Sequence, residues 1–150
     1  MKIKQLNEIL GRQSYRILDR HRRNLIRIAQ EIYDEWDESD VDTYAGGGIC
    51  HLIAEAMTEY LDRQQGIISF TAPDTLEQHV YTVAIVERLE EEGENMDEFF
   101  RIDISPQRYE RGGGFSWCKL PGVELNERDL IIDYLGSGLE WYRNFDVDWL

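Results

Sequence analysis

Cys50 is the residue around which chemistry can be built. It follows Gly46-Gly47-Gly48 and Ile49, where glycines permit a tight turn of the chain and leave backbone N–H groups accessible. The first N–H groups of a helix starting there have no intrahelical acceptor, and the helix dipole favours negative charge beside them. Both effects lower a thiol's pKa, and the thiolate is the nucleophilic form. The same N–H groups suit the oxyanion of a tetrahedral intermediate. Gly48, Tyr44 and His51 are the neighbouring candidates for oxyanion or substrate contacts.

A nucleophilic cysteine needs a base, and the base needs a group to orient it. His79 opens the run HVYTVAIV, and Asp103 lies in the following run FFRIDIS. In an up-down hairpin the start of one strand neighbours the end of the next. The acidic segment from Leu89 to Asp97 centres that hairpin at about residue 93, which sets Asp103 opposite Val83. An offset of about four residues from His79 is ~13 Å, so the expectation is that a bulge or an asymmetric loop restores the contact.

The elements that must position these residues are legible in the pattern. Leu18, Leu25, Ile28, Ala29, Ile32 and Trp36 recur at three- and four-residue steps, which predicts a helix over about 15–36 with one apolar face. A second helix is predicted from about Cys50 to Leu61, with Ile53, Met57, Tyr60 and Leu61 as its stripe. IISFTA and HVYTVAIVERL carry the β-branched and aromatic residues of strands, the second apolar on both faces as a central strand is. Phe100, Ile102 and Ile104 alternate with Arg101, Asp103 and Ser105, the period of a half-buried strand. RYERGGGFSWCKLPG is irregular, with Gly112–Gly114 as a flap or turn bordering the site. ERDLIIDYL is expected as a short helix, and the tail LEWYRNFDVDWL as aromatics packed back on the body. Helices followed by an antiparallel meander make an α+β fold with helices packed on one side of a sheet.

With GGGIC opening a helix, HVYTV opening a strand and RIDIS on the next, the chain resembles the papain-like cysteine peptidases, nearest to their NlpC/P60 and transglutaminase-like branches. The resemblance covers about residues 44–105. It implies Cys50 as nucleophile, His79 as general base and Asp103 as the orienting residue, acting on a peptide or small amide with no cofactor. His51 stands where a Trp or small residue often follows the family's cysteine, and residues 106–150 match no named pattern.

Each of these residues also has a plainer role. Cysteine is often buried as a small hydrophobe, so Cys50 could face the core beside Ile53 and Met57. His79 could be a structural strand-end histidine, and Asp103 a solvated carboxylate or one paired with Arg101 or Arg108. His51 cannot easily serve Cys50, since adjacent helix positions do not face each other. Cys118 suits a packed loop position. Zinc on Cys50, His51, His79 and Cys118 lacks the short paired spacing of structural sites, so no metal is expected. The Gly-Gly-Gly runs lack the Lys-Ser/Thr sequel of a phosphate loop.

Composition narrows the partners. The chain has 150 residues and a formal net charge of −14, and is about the size of one domain. Residues 1–30 hold eight Lys/Arg against two Asp/Glu, or +6, and the remainder holds eight against 28, or −20. The acidic body disfavours nucleic acid and anionic lipid, and an acidic rim suits a cationic or neutral substrate. The basic segment is expected to be a solvated helix face or one docked on the acidic body, with a separate anionic partner as the alternative. No apolar run approaches the ~20 residues of a membrane span, and no signal-peptide pattern is present. Cys50 and Cys118 therefore suit reduced thiols of a cytoplasmic protein. Two functions remain open: a cysteine hydrolase or acyltransferase acting on an amide, and a non-catalytic interaction module on the same core. Contact between Cys50 and His79 favours the first; Cys50 sealed in the core far from His79 favours the second.

Overall fold

The computed structural model describes residues 13–36, 48–74, 79–87, 97–111, 117–120 and 122–137, with the backbone alone at 110, 111, 117 and 118. Helix α1 (13–19) leads into α2 (Arg22–Glu35), and α3 spans Ile49–Asp62. Strands β1 (Ile67–Asp74), β2 (His79–Val86) and β3 (Glu98–Ile104) follow. A 3₁₀ turn at Pro106–Arg108 precedes the short hairpin β4 (Tyr109–Arg111) and β5 (Trp117–Lys119). A second 3₁₀ turn at Glu127–Asp129 feeds β6 (Leu130–Ser137). The main sheet has the order β1-β2-β3-β6, with every neighbouring pair antiparallel. The fold is α+β, with helices on an antiparallel sheet.

The first amphipathic segment forms as its spacing requires, but in two pieces. At the junction His21 N–H donates to Leu18 O at 2.9 Å, and Leu25 N–H donates to His21 O at 2.9 Å. The tighter three-residue step at His21 separates α1 from α2. Leu18, Leu25 and Ala29 are completely buried, with Tyr33 and Trp36 nearly so, while Ile28 and Ile32 are half-buried. Helix α2 packs on α3, and α3 lies across β1 and β2. The α3–sheet contact is partly polar: Thr82 Oγ1 donates to Ala54 O at 2.9 Å, and Ser69 Oγ donates to Thr58 O at 2.6 Å.

The sheet has two apolar faces. Ala84, Val86, Phe100, Ile102, Ile104, Leu130 and Ile132 join the helices in one cluster. Ala72, Tyr81, Val83 and Phe99 form a second on the opposite face, with Phe70, Ile85 and Leu135 packed against it. This second cluster corrects the expectation of a half-buried β3, in which Phe99 and Asp103 are buried as well as Phe100, Ile102 and Ile104.

The expected helix at ERDLIIDYL is also corrected. Asn126 Oδ1 accepts from Arg128 N–H, and the Asp129 carboxylate accepts from Asn126 N–H, a reciprocal cap that closes a single 3₁₀ turn. From Leu130 the β-branched pair Ile131–Ile132 enters the ladder with β3 instead. Pairing outweighs the local helical pattern, because β3 would otherwise present an unpaired edge.

Candidate active site

The site forms where the sheet forks. The β2–β3 ladder runs from Val86↔Glu98 to Thr82↔Ile102. Beyond that point β2 continues beside β1 as far as Asp74↔His79, and β3 continues beside β6 as far as Ile104↔Leu130. The Thr82↔Ile102 register centres the hairpin at residue 92, midway between them, so extending it sets Asp103 opposite Tyr81 rather than Val83. The remaining offset of about two residues is ~7 Å, a diagonal that two side chains can span. His79 and Asp103 close it across the fork, and no bulge in β2–β3 is needed.

His79 Nε2 lies 2.6 Å from Asp103 Oδ2, and the two side chains are 7% and 6% exposed. An ionised carboxylate only accepts, so Nε2–H donates and Nδ1 is the nitrogen left for the sulfur of Cys50. Alternation gives His79 the parity of Tyr81 and Val83, on the face opposite the helices. His79 nevertheless interacts with Cys50 of α3 and lies against Tyr109, which belongs to the helix-side cluster. Burial opposes protonation of His79. The hydrogen bond to Asp103 and its negative charge, with the interaction with Cys50, outweigh burial and raise its pKa from 6.5 to about 9. A histidine that stays protonated beside a sulfur is the partner a thiolate requires.

Cys50 sits in the first turn of α3, whose N-cap is Gly48 with φ of 78°, the left-handed region that favours glycine. Gly48 brings no side-chain cap, and the first turn holds no acidic residue. The positive end of the helix dipole is therefore not compensated from within the helix itself. Cys50 is 1% exposed and belongs to the helix-side core cluster with Ile53 and Met57. It is thus both a core residue and a partner of His79.

Asp103 is held on both oxygens. Oδ1 accepts from Ile104 N–H at 2.8 Å, and Oδ2 accepts from Arg101 Nη2 at 3.1 Å as well as from His79. The expected pairing with Arg101 is present, whereas Arg108 pairs with Asp129 at 2.8 Å. His51 lies outside the cluster, with Nε2 2.8 Å from Glu55 Oε1 one turn along α3. Tyr44, the side chain of Cys118, Gly112–Gly114 and the tail 139–150 lie outside the described residues.

Tyr109 is the site residue that the sequence did not single out. Its ring centroid is 6.1 Å from that of His79. Burial above all, with the negative charge of Asp103 and the nearness of Cys50 and Tyr33, holds its hydroxyl well above the usual range. Tyr33 of α2 pins the chain on either side of the small hairpin: its hydroxyl lies 2.9 Å from Arg108 O and 3.0 Å from Leu120 O, and it accepts from Leu120 N–H at 2.7 Å. In sequence Tyr109 was one aromatic in an irregular stretch, and no periodicity pointed to it.

No family model, curated protein or solved structure matches the chain. Among the described residues no helix is long and apolar enough to cross a membrane.

Proposed function

We propose that the protein is a cysteine hydrolase or acyltransferase acting on an amide bond, with the papain-like division of roles among Cys50, His79 and Asp103. One observation carries this: a buried imidazole bonded through Nε2 to Asp103 at 2.6 Å also interacts with Cys50 at the start of a helix. In this mechanism the Cys50 thiolate attacks the carbonyl carbon, and the C=O π pair moves to oxygen. N–H groups of the first turn of α3 stabilise that oxyanion. His79 gives its Nδ1 proton to the departing amine as the C–N bond breaks, leaving a thioester. A water or acceptor amine, deprotonated by His79, then attacks the thioester and releases Cys50. Asp103 fixes the ring orientation and stabilises the imidazolium throughout. The chain's net charge of −14 favours a cationic or neutral amide.

The 1% exposure of Cys50 favours a second reading, a non-catalytic interaction module on the same core. Short peptidyl amides with a fluorogenic leaving amine and Lys or Arg beside the scissile bond separate the two. The hydrolase turns over members of this set, forms an acyl adduct on Cys50 visible by intact mass, and loses both in Cys50→Ala and His79→Ala. Folded protein that gives neither turnover nor adduct across the set overturns the enzyme assignment.

A further inference from the structure

Asp103 serves two cations at one oxygen. His79 approaches Oδ2 at 2.6 Å, and Arg101 Nη2 approaches the same oxygen at 3.1 Å. Arg101 has a second carboxylate, Asp74 at the end of β1, with Nη1 to Oδ2 at 3.6 Å. Its guanidinium also lies 4.0 Å from the centroid of the Tyr81 ring, which fixes its plane. Tyr81 belongs to the cluster on the face away from the helices, and the Arg101 side chain is 29% exposed there. A chain of contacts therefore runs from a part-exposed arginine through one carboxylate oxygen to the ring beside Cys50.

We propose that Arg101 is a positioning residue that shares the Asp103 carboxylate with His79 from the outer face of the sheet, and that Asp74 sets how much of Arg101 falls on Asp103. This deepens the proposed triad and rests on it for its catalytic consequence. Two donors on one oxygen compete, because each cation reduces the negative potential available to the other. Asp74 draws the guanidinium toward β1 and so relieves that competition. The groups facing His79 are Asp103 of β3, Cys50 of α3, Tyr109 of β4 and the histidine's cross-strand partner Asp74 of β1, with Arg101 acting at one remove.

Substitutions at the two ends of this chain should move His79 in opposite directions. In Arg101→Gln the undivided carboxylate holds the imidazolium more tightly, and the His79 midpoint rises by about one pH unit. In Asp74→Asn, Arg101 falls fully on Asp103 and the midpoint drops by a comparable amount. Arg101→Lys keeps the charge but not the planar fork, and should lie between Arg101→Gln and the parent. The ¹⁵N chemical shifts of the His79 ring, followed from pH 5 to 11.5, report the midpoint whether or not the protein turns over an amide. A failure of this inference is thus distinct from a failure of the hydrolase assignment. Opposite shifts in Arg101→Gln and Asp74→Asn, with the Asp74→Asn drop largely lost when Arg101→Gln is already present, sustain the proposal. Any other pattern in the folded variants overturns it, including a full drop in that double variant, which would be the direct effect of Asp74 on the histidine opposite it. If Arg101→Gln does not fold, Arg101→Met takes its place on the same criteria.

Discussion

The forked end of the sheet and the arginine-bearing helices hold much the same kinds of charged residue, and burial makes them do different things. At the fork, His79 and Asp103 are 7% and 6% exposed, and the carboxylate is bonded on both oxygens. Along α1 and α2, Arg16, Arg20, Arg23 and Arg27 are exposed. The Arg23–Glu127 pair, at 3.3 Å, joins side chains 89% and 54% exposed. The fork concentrates electrostatic energy in a few fixed contacts, whereas the helices spread charge where water screens it. Arg22 is the exception on the helices, because its guanidinium donates to Glu127 O at 2.7 Å and to Leu130 O at 2.6 Å.

The largest effect should come from the apolar side of α2. Leu25 is completely buried and Ile32 half-buried. Removing two such side chains costs roughly 1.5–3 kcal/mol each, and buried carboxylates add a desolvation penalty of several kcal/mol. Leu25→Asp with Ile32→Asp should therefore unfold the protein, checked by circular dichroism at 25 °C. A folded, soluble double variant would place the stability elsewhere and leave α2 as a docking element.

The fork should show its weight in the pH dependence of stability. The pKa of His79 rises from 6.5 to about 9 on folding, so its stabilisation is complete below about pH 6.5 and is lost as pH rises through about 9. A shift of that size is on the order of 3 kcal/mol. Urea unfolding between pH 6 and 10 should show this alkaline loss in the parent and a much flatter profile in Asp103→Asn. Equal slopes in the two proteins would detach the shift from Asp103.

The smallest effects should separate the arginines from one another. Arg22→Ala should cost about 1–2 kcal/mol, because two carbonyls lose a charged donor. Replacing Arg16, Arg20, Arg23 and Arg27 together with Gln should cost under about 1 kcal/mol in total, since exposed pairs contribute little. Urea midpoints of the two variants check the ranking. If the fourfold variant is the less stable, the exposed stripe is structural after all.

Much of the fold was legible because its elements obey simple periods. The stripe from Leu18 to Trp36, the second helix and the first three strands lie where their spacing puts them. ERDLIIDYL misled because its helical pattern is overruled by pairing with β3, a long-range contact that local periodicity does not encode. Cys50, His79 and Asp103 were legible as types in the right order. Their meeting was not, because it depends on a hairpin register one residue tighter than the acidic loop suggested and on a fork where two ladders part. Tyr109 and the Arg101–Asp74 pair were hidden for the same reason: each matters through a neighbour distant in sequence.

The rate of Cys50 alkylation in the native protein tests the central claim most directly. With iodoacetamide at about pH 6.5, a thiolate held beside a protonated His79 should react well before Cys118, read out by peptide mass spectrometry. His79→Ala should abolish that advantage, and Asp103→Asn should reduce it by less. Equal slow labelling of the two cysteines, or labelling of Cys50 only at the rate of global unfolding, would contradict the account and leave Cys50 as a core residue.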